Sequence, residues 1–337
     1  MEGGKTALLN KVRQQSANQK LPPLLKREFQ TATFNGVSRE LHQPTLRIMQ
    51  WNLLAQALSQ GEDNFVLCPE EALAWNNRKL HILEELLTYN ATILCLEEVD
   101  CFDYLQQNLA DAGYSGIFLP KPDSPCLYSA HCVGPDGCAL FWRSDEVTQI
   151  FQKGIVLHDD DGQETNQVAL LCRFTLKELK KEFYVVVTHL KSKTPFWQLR
   201  HEQGKYLEKV LSEVTVDFPV IICGDFNAEP NEKVYQVFRE SIMDLGSAYC
   251  HLSPQEEEPS FTTWKIRGGT HGKNKEVAHC IDYIWYSRSE LRPISLLKFP
   301  SEDEIGKDRL PSLSYPSDHL SLVVDFGFIK HLQETDM

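Results

Sequence analysis

The chain has 337 residues, 42% of them apolar, enough to bury a substantial core in one large domain or two ordinary ones. Its 47 acidic and 34 basic residues leave a net charge of −13, and outside the N-terminal stretch no basic stripe of the kind with which proteins track long nucleic acids is visible. A local cationic pocket for a small anionic substrate, or for the end of a strand, remains compatible with that balance.

No run approaches roughly 18 consecutive apolar residues, so no membrane span is predicted. No apolar segment follows the first residues, so no secretory signal is expected either. The ten cysteines contain no C-x-x-C pair, and Cys95, Cys172 and Cys223 lie inside apolar strand-like runs. They read as free thiols of a reducing compartment, without a structural zinc site. A cytoplasmic monomer is expected, with a mitochondrial or nuclear pool as the alternative.

Residues 1–43 begin as a basic, acid-poor stretch (MEGGKTALLNKVRQQSANQKLPPLLKR, 1–27) and are expected to form a disordered arm, a targeting signal being the alternative. From 44 to 330, strand-like runs alternate with amphipathic ones. Strands are predicted at 46–53 and 92–99, with a helix at 70–89 between them and another at 102–112. Further strands follow at 138–142, 167–175 and 183–190, then a helix at 195–214 opened by Pro195. A strand at 220–223, a helix at 231–240 and strands at 261–265, 281–286 and 320–326 complete the set. Runs such as VVVTHL and LSLVVDF are apolar on both sides and predict strands covered on both faces. The polar segment 267–276 is expected to be a flexible loop, and 331–337 a tail. One two-sheet domain with outer helices over 44–330 accounts for the pattern most economically.

Chemistry gathers where these strands stop. In VIICGDFNAEP (220–230), an apolar run reaches Gly224, read as the exit from the strand, and Asp225 and Asn227 follow at its carboxyl end. A carboxylate beside an amide suits alignment of a water next to a phosphate oxygen, although Gly-Asp and Asn are also ordinary turn residues. LRIMQWN ends in Asn52, LCLEEV carries Glu97 and Glu98, and VVVTHLKSK closes with His189 before Lys191 and Lys193. Asp282 interrupts the apolar IDYIWY, where a carboxylate requires a partner, and PSDH places His319 before the last strand. Taken singly, Glu97 and Glu98 could be a solvated strand end and His189 a core histidine. Together they form the parts of a metal–phosphate site.

The ordered set QWN (50–52), EEVD (97–100), THLK (188–191), GDFNAEP (224–230), DYIWY (282–286) and SDH (317–319) resembles the endonuclease/exonuclease/phosphatase superfamily. The strings PKPDSPC (120–126), GPDGCALF (134–141), TNQVA (165–169), TTWKIR (262–267) and YPSDHLSLV (315–323) resemble its deadenylase-like branch. The resemblance implies an α/β (α+β) fold, a four-layer αββα sandwich like deoxyribonuclease I, with two mostly antiparallel or mixed sheets and outer helices. It implies Mg²⁺ (or Mn²⁺) held by Glu98 with Asn52, a water deprotonated by Asp225 and fixed by Asn227, and phosphoryl oxygens bound by His319 and His189, with Asp282 holding His319.

Two substrates are compatible with that branch: the 2′-phosphate of NADPH or NADP⁺, released to give NAD(H), and RNA 3′ ends trimmed as a poly(A) deadenylase does. Lys121, Lys191, Lys193 and Arg267, with Pro122, Asp123 and Asn166, are expected to line the substrate pocket. Their cations favour a doubly charged terminal phosphate. Three departures from the family pattern stand out. Glu97 replaces a usual Gln and adds a negative charge. Lys193 replaces a usual Arg and loses its bidentate fork. Asp123 replaces an aromatic and sets an acid close to Lys121. A non-catalytic scaffold would have lost at least one of Glu98, Asp225, Asn227, Asp282 or His319, and all are present.

Overall fold

The doubly apolar strands assemble into two facing sheets in a computed structural model that describes residues 2–34, 40–59, 64–269 and 273–331. The first sheet contains β1 (Phe29–Thr31), β2 (Leu46–Asn52), β3 (Ile93–Glu97), β4 (Tyr114–Pro120) and β5 (Gly137–Arg143). The second contains β6 (Val147–His158), β7 (Glu164–Leu176), β8 (Lys181–His189), β9 (Val220–Asp225) and β10 (Leu245–Ser247). A hairpin, β11 (Thr263–Arg267) and β12 (Lys275–His279), stands apart. The chain then returns β13 (Asp282–Ser287) to the second sheet and β14 (Leu291–Leu297) and β15 (Leu322–Phe328) to the first. The strand orders are β1-β14-β15-β2-β3-β5-β4 and β10-β13-β9-β8-β7-β6. Each sheet holds one parallel pair, β2 with β3 and β8 with β9, so both are mixed.

Strand alternation decides what lies between the sheets. Leu46 and Ile48, Ile93 and Cys95, Val185 and Val187, Ile221 and Cys223, and Ile284 and Tyr286 share one buried inter-sheet core. The opposite face of the first sheet, including Met49, Trp51, Leu94 and Leu96, packs under helices α1 (Glu2–Asn18), α3 (Trp75–Tyr89) and α4 (Phe102–Ala110). The outer face of the second sheet packs under α5 (Trp197–Val214) and α6 (Lys233–Arg239). The architecture is thus the expected αββα sandwich. Short helices α2 (Glu70–Leu73) and α7 (Glu302–Ile305) complete it.

Several local expectations change. The helix predicted over 70–89 breaks at Ala74, which is extended, and the preceding Leu73 carbonyl accepts from the Gln56 side chain at 3.0 Å. Gly224 does not turn the chain. It remains within β9, where a Cβ would stand 2.2 Å from the Thr188 carbonyl oxygen of β8, and the sharp turn comes at Asn227 with φ 51°. The edge strands β4 and β6 and the Pro-containing β14 carry too much polarity or irregularity for an apolar pattern to reveal them. Part of the loop expected at 267–276 is the ordered hairpin β11–β12, and the remainder lies outside the described residues. Of the tail at 331–337, only His331 is described.

The largest correction concerns residues 1–43. Their described part is not a disordered arm. Leu8 and Val12 of α1 are buried against α3, and Phe29–Thr31 pairs antiparallel with Ser295–Leu297 of β14. Arg27 is buried, with its guanidinium 2.9 Å from Glu85 and donating to the Ser321 carbonyl at 3.0 Å. The basic composition misled because one of its cations answers a buried acid elsewhere in the chain. Removing Arg27 strands that acid, so Arg27→Ala is expected to cost about 3–5 kcal/mol, read from the urea unfolding midpoint. A loss below about 1 kcal/mol would restore the dispensable arm.

Candidate active site

Five side chains of the site continue the inter-sheet face of their strands, at the end where the hydrophobic core stops. Gln50 follows Leu46 and Ile48, Glu97 follows Ile93 and Cys95, His189 follows Val185 and Val187, Asp225 follows Ile221 and Cys223, and Asp282 precedes Ile284. Register sets them side by side: Asp225 is paired with both His189 and Asp282, and Asn52 with Glu97. Four residues with side chains adopt positive φ where the chain leaves these strands, namely Leu54, Glu98, Lys193 and Asn227. Such strain is held only where the surroundings over-determine the backbone. Arg78 does so for two loops at once, donating to the Leu53 carbonyl at 2.6 Å and the Pro316 carbonyl at 2.7 Å.

The centre is a buried polar network. Asn52 Nδ2 donates to Asp225 Oδ2 at 3.0 Å, and the Asn227 backbone N–H donates to Asp225 Oδ1 at 2.8 Å. His189 Nε2 and His319 Nε2 stand 3.7 and 3.8 Å from Asp225 Oδ2. His319 Nδ1 lies 2.9 Å from Asp282 Oδ2, and the Thr262 hydroxyl donates to the same carboxylate. Gln50 Nε2 bridges Glu97 at 2.8 Å and Asp282 at 3.2 Å. Beside His319, Asp318 is ion-paired with the buried Lys265.

Charge in this desolvated cluster is redistributed. Burial, then the Asp282 charge, pushes the Asp225 carboxyl up to about 7. Burial opposes a charged His319, but Asp282, Asp318 and Asp225 together outweigh it and raise His319 to about 9. His189 is driven the other way, well below the usual histidine range, by burial and by Lys121, His319 and Lys191. The result is one imidazolium and one neutral imidazole on either side of Asp225. Glu97 is pushed well above the usual carboxylate range by burial and by Asp282. It therefore favours its neutral form, contrary to the second negative charge expected there.

The remaining predicted residues lie around this centre, with different degrees of engagement. Lys121 is half-buried and pairs with Asp136 at 2.5 Å, so the acid on Lys121 is Asp136 and not Asp123. Asp123 instead accepts from the Tyr128 hydroxyl at 2.7 Å, and its backbone is bracketed by Asn166 at 2.6 and 2.8 Å. Pro122 is exposed. Lys191 is half-buried and Lys193 exposed, and repulsion from Lys193 and Lys121 adds to burial in lowering Lys191. Arg267 is exposed, yet its charge acts on Asp318. Sequence reasoning missed Gln50, Arg78, Asp136, Thr262, Lys265 and Asp318. Gln50, Asp136, Thr262, Lys265 and Asp318 lay inside strings already noticed, but their partners are 12 to 232 residues distant.

The donor set suits a hard cation. Asp225, Asp282 and His319 could each bring a ligand atom within 4.8 Å of the others. However, His319 Nδ1 is tied to Asp282, and the surrounding acids favour its protonated form, so an oxygen donor suits a hard cation better. Glu98 is the better candidate: one of its oxygens accepts from the Ala55 N–H at 3.1 Å, and its charge acts on both Asp225 and Lys121. Asn52 Oδ1 accepts from the Leu54 N–H at 2.9 Å, which leaves its second lone pair. Oxygen donors of this kind fit Mg²⁺ or Ca²⁺ better than zinc.

A model of the Endonuclease/Exonuclease/phosphatase family matches residues 49–319. Nocturnin of Rattus norvegicus is 49% identical over 311 residues, covering 91% of this chain and 71% of that protein. The chain belongs to the nocturnin family. The solved human nocturnin catalytic domain with bound sulfate is similar, with a TM-score of 0.75, 41% identity and coverage of 91% of this chain and 99% of that one. The 2′,3′-cyclic phosphatase ANGEL2, solved with adenosine-2′,3′-vanadate, shares the fold at a TM-score of 0.73 and 20% identity, covering 90% of this chain and 99% of that one. Nocturnin-family membership makes the chain a hydrolase of the deadenylase-like branch, a group typically dependent on divalent metals.

The His319 proton offers a direct check. With a folded value near 9 against an ordinary 6.5, its charge stabilises the fold fully below about pH 6.5, and that contribution disappears as pH rises through about 9. The imidazole of the metal-free protein, followed by NMR, should titrate near 9, and Asp282→Asn should bring the midpoint down toward 6.5. A midpoint at or below 6.5 in the unsubstituted protein would refute the assignment.

Proposed function

We propose that this protein is a Mg²⁺-dependent phosphohydrolase that removes the 2′-phosphate of NADP(H) to give NAD(H). The observation that carries the reading is a cationic cluster beside Asp225, a carboxyl poised near 7: His189 and His319 flank it at 3.7 and 3.8 Å, and the charges of Lys121 and Lys191 act on His189. A base in that range is about half ionised at pH 7 and accepts a proton readily when it is.

Asp225 and Asn227 hold the attacking water, and Asp225 takes its proton as the water oxygen bonds to phosphorus. The P–O2′ bond breaks in line, and the ribose oxygen leaves to take up a proton from solvent. His319, charged and fixed by Asp282, donates to the phosphoryl oxygens. Neutral His189 donates its one N–H to the charge developing there. Lys191 faces the phosphate, Lys121 does so from its pair with Asp136, and the exposed Lys193 lines the pocket farther along the same loop. Glu98, with Asn52, would hold the Mg²⁺, which when bound polarises a phosphoryl oxygen and offsets the clustered negative charge. The ten free cysteines support a reducing, cytoplasmic setting.

Purified protein with Mg²⁺ should release phosphate from NADPH and NADP⁺, and Glu98→Ala should abolish release. Shortening of a 5′-labelled oligo(A) without any phosphate release from NADPH would overturn this reading in favour of a 3′-exoribonuclease. Lys191→Glu should raise KM for NADPH by about tenfold or more, through repulsion of a dianionic phosphate, while leaving the thermal unfolding midpoint in place. An unchanged KM would remove Lys191 from the pocket.

A further inference from the structure

The loop between β8 and α5 carries features that hydrolysis at Asp225 does not use. Phe196 and Trp197 are adjacent and 41% and 45% exposed, within a fold that buries most of its large aromatics. The Lys191 ammonium stands 4.8 Å from the Phe196 ring centroid, and the Lys233 ammonium 5.4 Å from that of Trp197. The ion pairs of this region join Arg200 to Glu232 and Lys205 to Asp160, and Lys191, Lys193 and Lys233 take part in neither.

The platform is also held in place. Arg200 is buried, donates to the carbonyls of Lys191 at 3.0 Å and Lys193 at 2.7 Å, and grips Glu232 at 2.8 Å. Its grip fixes Lys193 at φ 76°, a conformation that residues with side chains avoid. The loop begins one residue beyond His189, whose ring adjoins Asp225. A ligand with its phosphate at Asp225 therefore reaches the aromatic pair by passing over Lys191.

We propose that Phe196, Trp197, Lys193 and Lys233 form a subsite for the part of the substrate remote from the scissile phosphate, a second phosphate-linked nucleotide. Its flat ring stacks on the aromatic pair, and its linking phosphates meet the lysines. The subsite rests on the phosphatase reading and deepens it. Its extent argues for one nucleotide and not a strand: along α5 the next charges are Glu202, Lys205 already paired with Asp160, and Glu208.

The test uses the full chain with Asp225→Asn, so that binding is read without turnover, and compares NADP⁺ with 2′-AMP by calorimetry. Both carry the 2′-phosphate, and only NADP⁺ carries the second nucleotide. Trp197→Ala and Phe196→Ala should each weaken NADP⁺ about tenfold, with 2′-AMP changed by less than about twofold, and Trp197→Phe should recover most of the loss. Equal weakening of both ligands would show a merely structural role and overturn the subsite, as would unchanged NADP⁺ binding. Loss of oligo(A) binding with NADP⁺ binding intact would assign the ridge to RNA and overturn it as well. Failure of the Asp225→Asn protein to bind either nucleotide would bring down the phosphatase reading itself, and the subsite with it.

Discussion

Four carboxyl groups, Glu97, Asp225, Asp282 and Asp318, are buried at one end of an inter-sheet core. Removing that much negative charge from water is prohibitive unless each group is paired, hydrogen-bonded or neutralised. The neighbouring structure answers each in turn. Lys265 pairs with Asp318, Asn52 and the Asn227 backbone bond Asp225, and Thr262, Gln50 and the imidazolium of His319 hold Asp282. Glu97, bonded only by Gln50 among these groups, is driven toward its neutral form. The same excess of acid that threatens stability keeps a proton on His319 and lifts Asp225 toward neutrality. The energetic difficulty and the chemical competence of the site have one origin.

Such a network functions only if its backbone is fixed, and two buried arginines do much of that fixing. Arg78 ties the loop after β2 to the segment before His319. Arg200 ties the loop after β8 to Glu232, just before α6. Arg78 spends its donors mainly on carbonyl groups that loops leave without partners, and Arg200 divides its donors between two such carbonyls and the Glu232 carboxylate. They bond the strained positions at Leu54 and Lys193 directly, where a strand must end abruptly for its last side chains to enter the cleft. A third arginine, Arg27, anchors the N-terminal segment to Glu85 beneath the first sheet. Rigidity at the mouth therefore comes from cations that never meet the substrate.

Much of this was legible in the sequence. Alternation places Glu97, His189, Asp225 and Asp282 on the same face as the buried residues of their strands, and the point where each apolar run stops marks the cleft. Strand positions and a two-sheet domain follow from the apolar runs, the candidates from the residues at which those runs stop, and the four-layer sandwich from the family resemblance. Helix boundaries, polar edge strands and the β11–β12 hairpin were less visible, since pairing with a neighbour, and not composition, determines them.

What only the tertiary structure decided is the state of each group. The amino-acid order names Asp225, His189 and His319, but a lone motif cannot say which imidazole carries a proton. That depends on Asp282 and Asp318 facing one ring while Lys121 and Lys191 face the other. Likewise the sequence supplies Lys121 and Arg27 as cations, and only folding shows that both are committed to the buried acids Asp136 and Glu85. Side-chain direction is fixed within a few residues, whereas protonation and charge pairing are sums over neighbours brought together from the whole chain.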